Sequence, residues 1–230
     1  YGRGLSILEY GPPGTGKTLM ARALAHRVGK PLVSMTSRSD TGATELEYLF
    51  REARLQDGIV FIDECESLSS AESDELRVLL RELEQFDGIA IMATNRPQDL
   101  VEPLDRRFTL KVPFALPTAE ARQRIWELHL GKVPLADDVD LSRLARDYPI
   151  AGGYIKNAAQ AAVSEALGRD DGLQLEHADL DQACQLQTQH VGEDVRGAAH
   201  YKPTLRTTGI LLPDELQSRL SELATGLGNL

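Results

Sequence analysis

Apolar and polar residues along the first half of the chain follow two alternating patterns, one typical of buried strands and one typical of helices. The short apolar runs are those of parallel strands, and the segments between them carry apolar residues at helical spacing. The predicted strands are residues 5–10, 32–35, 58–62, 89–93 and 108–112, and the predicted helices are residues 19–25, 45–54 and 73–85. This alternation predicts an open parallel α/β sheet with its ligand site at the carboxyl ends of the strands.

The second half of the chain shows only the helical pattern. The proline-bounded residues 113–117 end the alternation, and no strand-like run follows them. Helices are expected over residues 119–130, with Thr118 as cap, and over 141–146, 153–167, 177–189 and 213–223. We therefore expect an α/β domain over 1–117, a small helical domain over 118–190, and a linker with a last helix over 191–230.

Composition narrows the functional classes. The apolar content of 42% and charged content of 26% are those of a globular protein. A net charge of −10 argues against attraction of the whole surface to nucleic acid or an anionic membrane. Two cysteines give no disulfide framework, and there is no long apolar run or signal peptide, so a cytoplasmic location is expected. Because the chain starts at Tyr1, we expect missing upstream residues.

The strongest motif lies between the first predicted strand and the first predicted helix. Residues 11–18, GPPGTGKT, fit the phosphate-binding pattern G-x-x-x-x-G-K-[ST] in full. Such a loop points backbone N–H groups and the positive end of a helix dipole at a phosphate. This motif predicts nucleoside triphosphate binding, with Lys17 on the β- and γ-phosphates and the Thr18 hydroxyl on Mg²⁺. The contacts expected here are those of Pro13, Gly14, Thr15, Gly16, Lys17, Thr18 and Leu19.

Polar residues end the third and fourth predicted strands. Asp63 and Glu64 follow residues 59–62; the first is expected to hold Mg²⁺ and the second to polarise an attacking water. Asn95 ends the following run and offers the γ-phosphate and the water a contact without adding charge. A solvated acid pair and a turn-forming asparagine are the alternatives, and the preceding phosphate loop favours the functional interpretation.

Two adjacent arginines, Arg106 and Arg107, come next. We expect them to project from the surface to the γ-phosphate of a neighbouring subunit, where an arginine supplied in trans typically gives about 10³–10⁵ in rate. Without the surrounding motifs, a solvated charged turn would be the better interpretation.

These motifs together resemble the AAA+ ATPases of the classical AAA clade. Residues 11–18 match its Walker A motif, residues 61–64 its Walker B motif, Asn95 its sensor 1 and Arg106-Arg107 its arginine-finger region. The resemblance covers residues 1–190. It implies a P-loop NTPase sheet sandwiched by helices and followed by a small all-α lid domain, with ATP and Mg²⁺ bound and ATP hydrolysed between the subunits of a ring, commonly a hexamer.

The resemblance continues into the lid. His129, in a segment similar to a lid helix of the clade, is implied to pack on the adenine, and Gly152 and Gly153 are implied to lie near the base and ribose. One departure concerns residues 36–42, where the clade carries an aromatic pore loop and this chain has no aromatic residue. The expectation that a peptide is threaded is weakened accordingly.

The function that we predict is an ATPase ring, a homo-oligomer that remodels an unknown protein partner. The chain is expected to be one module of a larger or tandem protein. Two alternatives stay open: an ATPase that handles nucleic acid or acts in defence, which the acidic charge disfavours, and a scaffold whose assembly is gated by nucleotide. We predict no transition-metal site, and we expect structural roles for Cys65 and Trp126.

Overall fold

The computed structural model describes residues 4–38, 41–68, 73–169 and 174–194, with side chains described as far as residue 188. The described residues form two compact units, residues 4–115 and residues 116–194.

The first unit is built on a five-stranded parallel sheet. Its strands are β1 (Leu5–Tyr10), β2 (Leu32–Thr36), β3 (Ile59–Asp63), β4 (Ile89–Thr94) and β5 (Leu110–Pro113). They lie in the order β2-β3-β4-β1-β5, and every pair is parallel. All the carboxyl ends therefore meet at one edge of the sheet. The α/β fold predicted from the alternating pattern is confirmed.

Helices cover both faces of this sheet. They are α1 (Lys17–Val28), α2 (Ala43–Leu55), α3 (Asp74–Gln85) and the short α4 (Glu102–Asp105). One face of the sheet packs through Leu8 and Met92 against Phe50 of α2 and Leu79 of α3 in a single buried cluster. Successive residues of a strand point to opposite sides of the sheet. The helix α1 contacts β2, β3 and β4 but contributes no residue to this cluster, and it covers the opposite face.

The second unit is helical. It consists of α5 (Ala119–Leu130), α6 (Leu141–Asp147), α7 (Gly152–Leu167) and α8 (His177–Asp194). Trp126 is fully buried in a hydrophobic cluster that also contains Ile155 and Leu180, so this side chain has the packing role expected of it. None of the helices in the described part of the chain is long and apolar enough to cross a membrane.

Several element boundaries differ from the predictions for local reasons. Helix α2 begins at Ala43, two residues before its predicted start, with Gly42 as N-cap, because the Glu45 carboxylate accepts the N–H of Gly42 at 3.2 Å. Helix α7 begins at Gly152, one residue early. Strand β5 begins at Leu110 rather than Phe108, and Phe108 is instead buried in the core.

The end of the second unit also differs from its prediction. Helix α8 runs to Asp194, so residues 191–194 belong to a helix and not to the predicted linker. The remainder of that linker and the predicted helix 213–223 lie outside the described residues.

Candidate functional site

The loop between β1 and α1 owes its shape to glycines with positive φ. Gly14 has a φ of 74° and Gly16 a φ of 103°, values that only glycine adopts readily. Gly16 is the N-cap of α1, and its carbonyl accepts the N–H of Met20 at 2.9 Å. The Thr15 hydroxyl closes the turn by donating to the Pro12 carbonyl at 2.8 Å. The helix N-terminus that the motif requires is therefore present.

Lys17 begins α1, and its side chain is held on the loop. The ammonium group Nζ donates to the carbonyls of Gly11 at 2.8 Å and Pro12 at 2.9 Å, and to Asn95 Oδ1 at 2.8 Å. Burial lowers the pKa of Lys17, while the carboxylates of Asp63, Glu66 and Glu9 oppose that shift. The Lys17 side chain thus lies at the mouth of the loop, already joined to Asn95, the residue that follows β4.

Thr18 and Asp63 place two oxygen atoms side by side. The Thr18 hydroxyl donates to Asp63 Oδ2 at 2.9 Å, and so links the first turn of α1 to the end of β3. Adjacent hydroxyl and carboxylate oxygens at a phosphate-binding loop are the donors that Mg²⁺ prefers. The residues present therefore fit a magnesium ion.

Glu64 follows Asp63 in an unusual backbone conformation. Its φ is 56°, in the left-handed region that few residues other than glycine enter, and such strain is often found at functional sites. Its N–H donates to Asp63 Oδ1 at 3.0 Å, and its carbonyl accepts the Ser67 hydroxyl at 3.1 Å. The Glu64 side chain is exposed at the carboxyl edge of the sheet, where water can reach it.

Three neighbouring elements, α1, β3 and β4, bring four side chains together at one edge of the sheet. They are those of Lys17, Thr18, Asp63 and Asn95. Leu19, in the first turn of α1, is 70% exposed and so is accessible to a ligand. The arrangement can bind a triphosphate with a hard cation and present a carboxylate to water. The individual roles stay predictions.

The arginines lie at the opposite edge of the sheet. The N–H of Thr109 donates to the Ser6 carbonyl at 2.9 Å, so Arg106 and Arg107 are beside the amino end of β1, whereas the phosphate loop follows its carboxyl end. The two arginines therefore lie away from the phosphate loop of their own chain. Arg106 forms an ion pair with Glu102 and Arg107 with Glu84.

The predicted lid residues belong to the second unit. His129 lies in the last turn of α5, and partial desolvation together with the neighbouring Lys156 lowers its pKa. The imidazole is therefore neutral near pH 7, a form that can stack on a base. Gly152 and Gly153 form the first turn of α7.

One residue close to the phosphate loop was not singled out from the sequence. Glu9 lies on β1, between β4 and β5, and is completely buried, and neither carboxylate oxygen has a hydrogen-bond partner among the described residues. Burial raises its pKa to about 8, Lys17 opposes that shift and Asp63 adds to it. The available signal was a single acid within the otherwise apolar run that precedes the phosphate loop.

Comparison with known proteins agrees with this geometry. The model of the "ATPase family associated with various cellular activities (AAA)" matches residues 7–116. An "ATP-dependent zinc metalloprotease FtsH 2" of Salinibacter ruber is 37% identical over 77% of this chain and 29% of its own length. A "Cell division cycle protein 48 homolog" of Archaeoglobus fulgidus is 35% identical over 70% of this chain and 24% of its own length.

A solved structure shows the same fold. A chain from "Structural Basis for Katanin Self-Assembly" superposes with a TM-score of 0.67 at 27% identity, covering 78% of this chain and 71% of that chain. This chain spans only about a quarter to a third of the two curated relatives. The matched residues include strands β2 to β5, β1 from Ile7 onward, and the loop that carries Lys17. The chain belongs to the AAA family of ATPases, as the motifs predicted.

Proposed function

We propose that this chain binds ATP with Mg²⁺ and hydrolyses the ATP at the carboxyl edge of its sheet, as one subunit of a homo-oligomeric ring that remodels a protein partner. The observation that carries the proposal is the pair of contacts Lys17–Asn95, at 2.8 Å, and Thr18–Asp63, at 2.9 Å. They join the phosphate loop to the ends of β4 and β3, so that phosphate, metal and water ligands converge at one edge.

The chemistry follows from these positions. Lys17 exchanges its loop carbonyls for phosphate oxygens, and Thr18 and Asp63 hold the metal. Bound Mg²⁺ supplies positive charge against the charge that develops on the phosphates. Glu64 accepts a proton from the attacking water, and Asn95 orients that water and contacts the γ-phosphate. The left-handed backbone at Glu64 supports this role, since such strain is often found at functional sites.

The arginines extend the proposal to a second subunit. Arg106 and Arg107 lie at the amino edge of the sheet. The stretch of β1 from Ser6 to Tyr10 alone separates that edge from the phosphate loop by about 13 Å, at roughly 3.3 Å per residue. A role for them at their own phosphate loop is therefore disfavoured. We propose that they complete the ATP site of a neighbouring copy, after leaving their ion pairs with Glu102 and Glu84.

Assembly into a ring, commonly a hexamer, and action on a protein are supported by the relatives alone. The katanin structure is described as one of self-assembly, and the FtsH relative is named an ATP-dependent metalloprotease. His129, Gly152 and Gly153 stay the proposed contacts to the base and ribose, and a cytoplasmic location stays a prediction.

Replacing Glu64 by glutamine tests the ATPase proposal. Glu64→Gln keeps the size of the side chain and removes its ability to accept a proton, so we expect ATP affinity to stay within about threefold while turnover falls about 10²–10⁴-fold. Nucleotide affinity is measured by calorimetry and turnover by phosphate release. Glu47→Gln, the same change at a half-exposed acid of α2, serves as the control and should leave both unchanged. Unchanged hydrolysis in Glu64→Gln would overturn the assignment of the base.

A further inference from the structure

Glu9 lies on the face of the sheet that carries the ATP site. In the register of the sheet, Glu9 is opposite Ala93 of β4 and Val112 of β5. Ile62 pairs with Met92, so the next residue, Asp63, falls in the same row as Ala93 and Glu9. Residues in one row of a parallel sheet point to the same face. Glu9 and Asp63 therefore share a face, two strand spacings or about 9.6 Å apart between backbones.

The Glu9 carboxyl group has no hydrogen-bond partner among the described residues. It is 0% exposed, and neither oxygen accepts a hydrogen bond within the described part of the chain. Lys17 is the nearby cation, but an ammonium group has three donors, and those of Lys17 already serve the Gly11 and Pro12 carbonyls and Asn95. An ionised carboxylate in such a place is costly, so the group takes a proton instead.

The two charges that face Glu9 act in opposite directions, since Lys17 favours the ionised carboxylate and Asp63 disfavours it. Lys17 approaches from α1 and Asp63 from β3, while Ala93 and Val112, beside Glu9 on β4 and β5, carry no charge. Lys17 in turn also faces Asp63 and Glu66. One cation is thus surrounded by three acids, before the negative charge of a triphosphate is added.

From this arrangement, which rests on the ATP site proposed above, we propose that Glu9 is an affinity-setting residue of that site and that the chain binds ATP together with a proton on the Glu9 carboxyl group. The proton comes from solvent and adds to a carboxylate oxygen, and no other bond changes. With Glu9 neutral, Lys17 is free to leave its loop carbonyls for the phosphates. With Glu9 ionised, a buried negative charge repels the phosphates and competes for Lys17.

The sign of the pH dependence follows directly. Because the pKa of Glu9 is raised to about 8, the carboxyl group is neutral in most molecules at pH 7 and ionised in most at pH 9. If only the neutral form binds well, the dissociation constant for ATP rises about tenfold between pH 7 and pH 9.

Calorimetry measures the coupled proton. The Glu64→Gln chain, in which turnover is blocked, is titrated with ATP and Mg²⁺ at pH 8 in phosphate and in Tris, whose ionisation heats differ. We expect Glu9 to take up about half a proton per ATP bound. Adding Glu9→Gln should remove this uptake and the tenfold pH effect, and any proton taken up by ATP itself cancels between the two chains. Adding Glu47→Gln instead should leave both in place.

Equal proton uptake and equal pH profiles with and without Glu9→Gln would overturn the proposal. Glu9→Leu, which matches the apolar neighbours of Glu9 on β1, replaces Glu9→Gln if the glutamine chain does not fold. ATP binding that is absent from the parent chain at every pH would instead reject the proposed function. The two failures are therefore distinguishable.

Discussion

At the scale of single residues, Gly11 is the tightest point of the phosphate loop. Its φ is 149°, and a Cβ atom there would lie 2.0 Å from the Phe114 carbonyl oxygen. The backbone cannot retreat easily, because the N–H of Phe114 donates to the Tyr10 carbonyl at 2.7 Å. Gly11→Ala should therefore lower the free energy of unfolding by about 3 kcal/mol or more, measured by denaturant titration.

Gly42→Ala is the matched control for Gly11→Ala in the same unit. A Cβ atom at Gly42 meets nothing within 4 Å. The only expected effect is that alanine is a poorer N-cap of α2, which should lower the free energy of unfolding by about 1 kcal/mol or less. Equal effects of the two substitutions would contradict the close approach of the chain at Gly11.

Because Glu9 is buried, we expect the free energy of unfolding to depend on pH. Its pKa rises from 4.5 to about 8 on folding, so the folded chain holds a proton that the unfolded chain has lost. Stability therefore falls as the pH rises from about 4.5 to about 8 and then levels off. Glu9→Leu should remove this loss, so that its advantage over the parent grows across that window to a few kcal/mol. Denaturant titrations at pH 5, 7 and 9 measure the difference, and a difference independent of pH would be the contrary result.

The sequence predicted most of the site because its residues stand at fixed places in motifs or at the ends of apolar runs. Lys17, Thr18, Asp63 and Asn95 were expected at one edge of a parallel sheet, and they meet there. Glu9 could not be predicted, because its importance depends on burial and on the lack of a hydrogen-bond partner. The edge on which Arg107 lies depends on the pairing of β5 with β1, which the sequence pattern does not contain.

At the scale of elements, the N-cap of α3 offers a direct test of why a helix begins where it does. The Ser73 hydroxyl accepts the N–H of Leu76 at 3.1 Å. Ser73→Ala should reduce the free energy of unfolding by about 1 kcal/mol. Ser164→Ala, at an exposed position inside α7, should change it by about 0.5 kcal/mol or less, since alanine is the better helix former. A cost at Ser164 as large as that at Ser73 would contradict the capping role.

A capping residue predicted the start of α5 to the residue, whereas α1 extends beyond both ends of the predicted helix over residues 19–25, from Lys17 to Val28. Thr118 starts α5 at Ala119 as expected, because its hydroxyl accepts the N–H of Ala121. Phe108 was predicted to lie in a strand because it is apolar. It is instead a buried core residue that precedes the start of β5. The continuation of α8 to Asp194 had no comparable local signal.

At the scale of the whole molecule, the central claim is that an ATP site is shared between copies of the chain. The phosphate loop and the arginines lie at opposite edges of one sheet, so a chain acting alone keeps the two apart. In the ring that we propose, the arginine edge of one copy faces the phosphate loop of the next. Each copy then lends an arginine and receives one.

Mixing two inactive variants measures this sharing most directly. One variant is Lys17→Ala, which lacks the phosphate-binding ammonium group, and the other is Arg106→Ala/Arg107→Ala. Random mixing at equal amounts leaves an intact loop facing an intact arginine pair at about a quarter of the interfaces, so about a quarter of the parental ATPase rate should return. A mixture of Lys17→Ala with Glu64→Gln, whose defects lie in the same half of the site, should restore nothing. If mixed assemblies form and the first mixture also stays inactive, the shared site is contradicted.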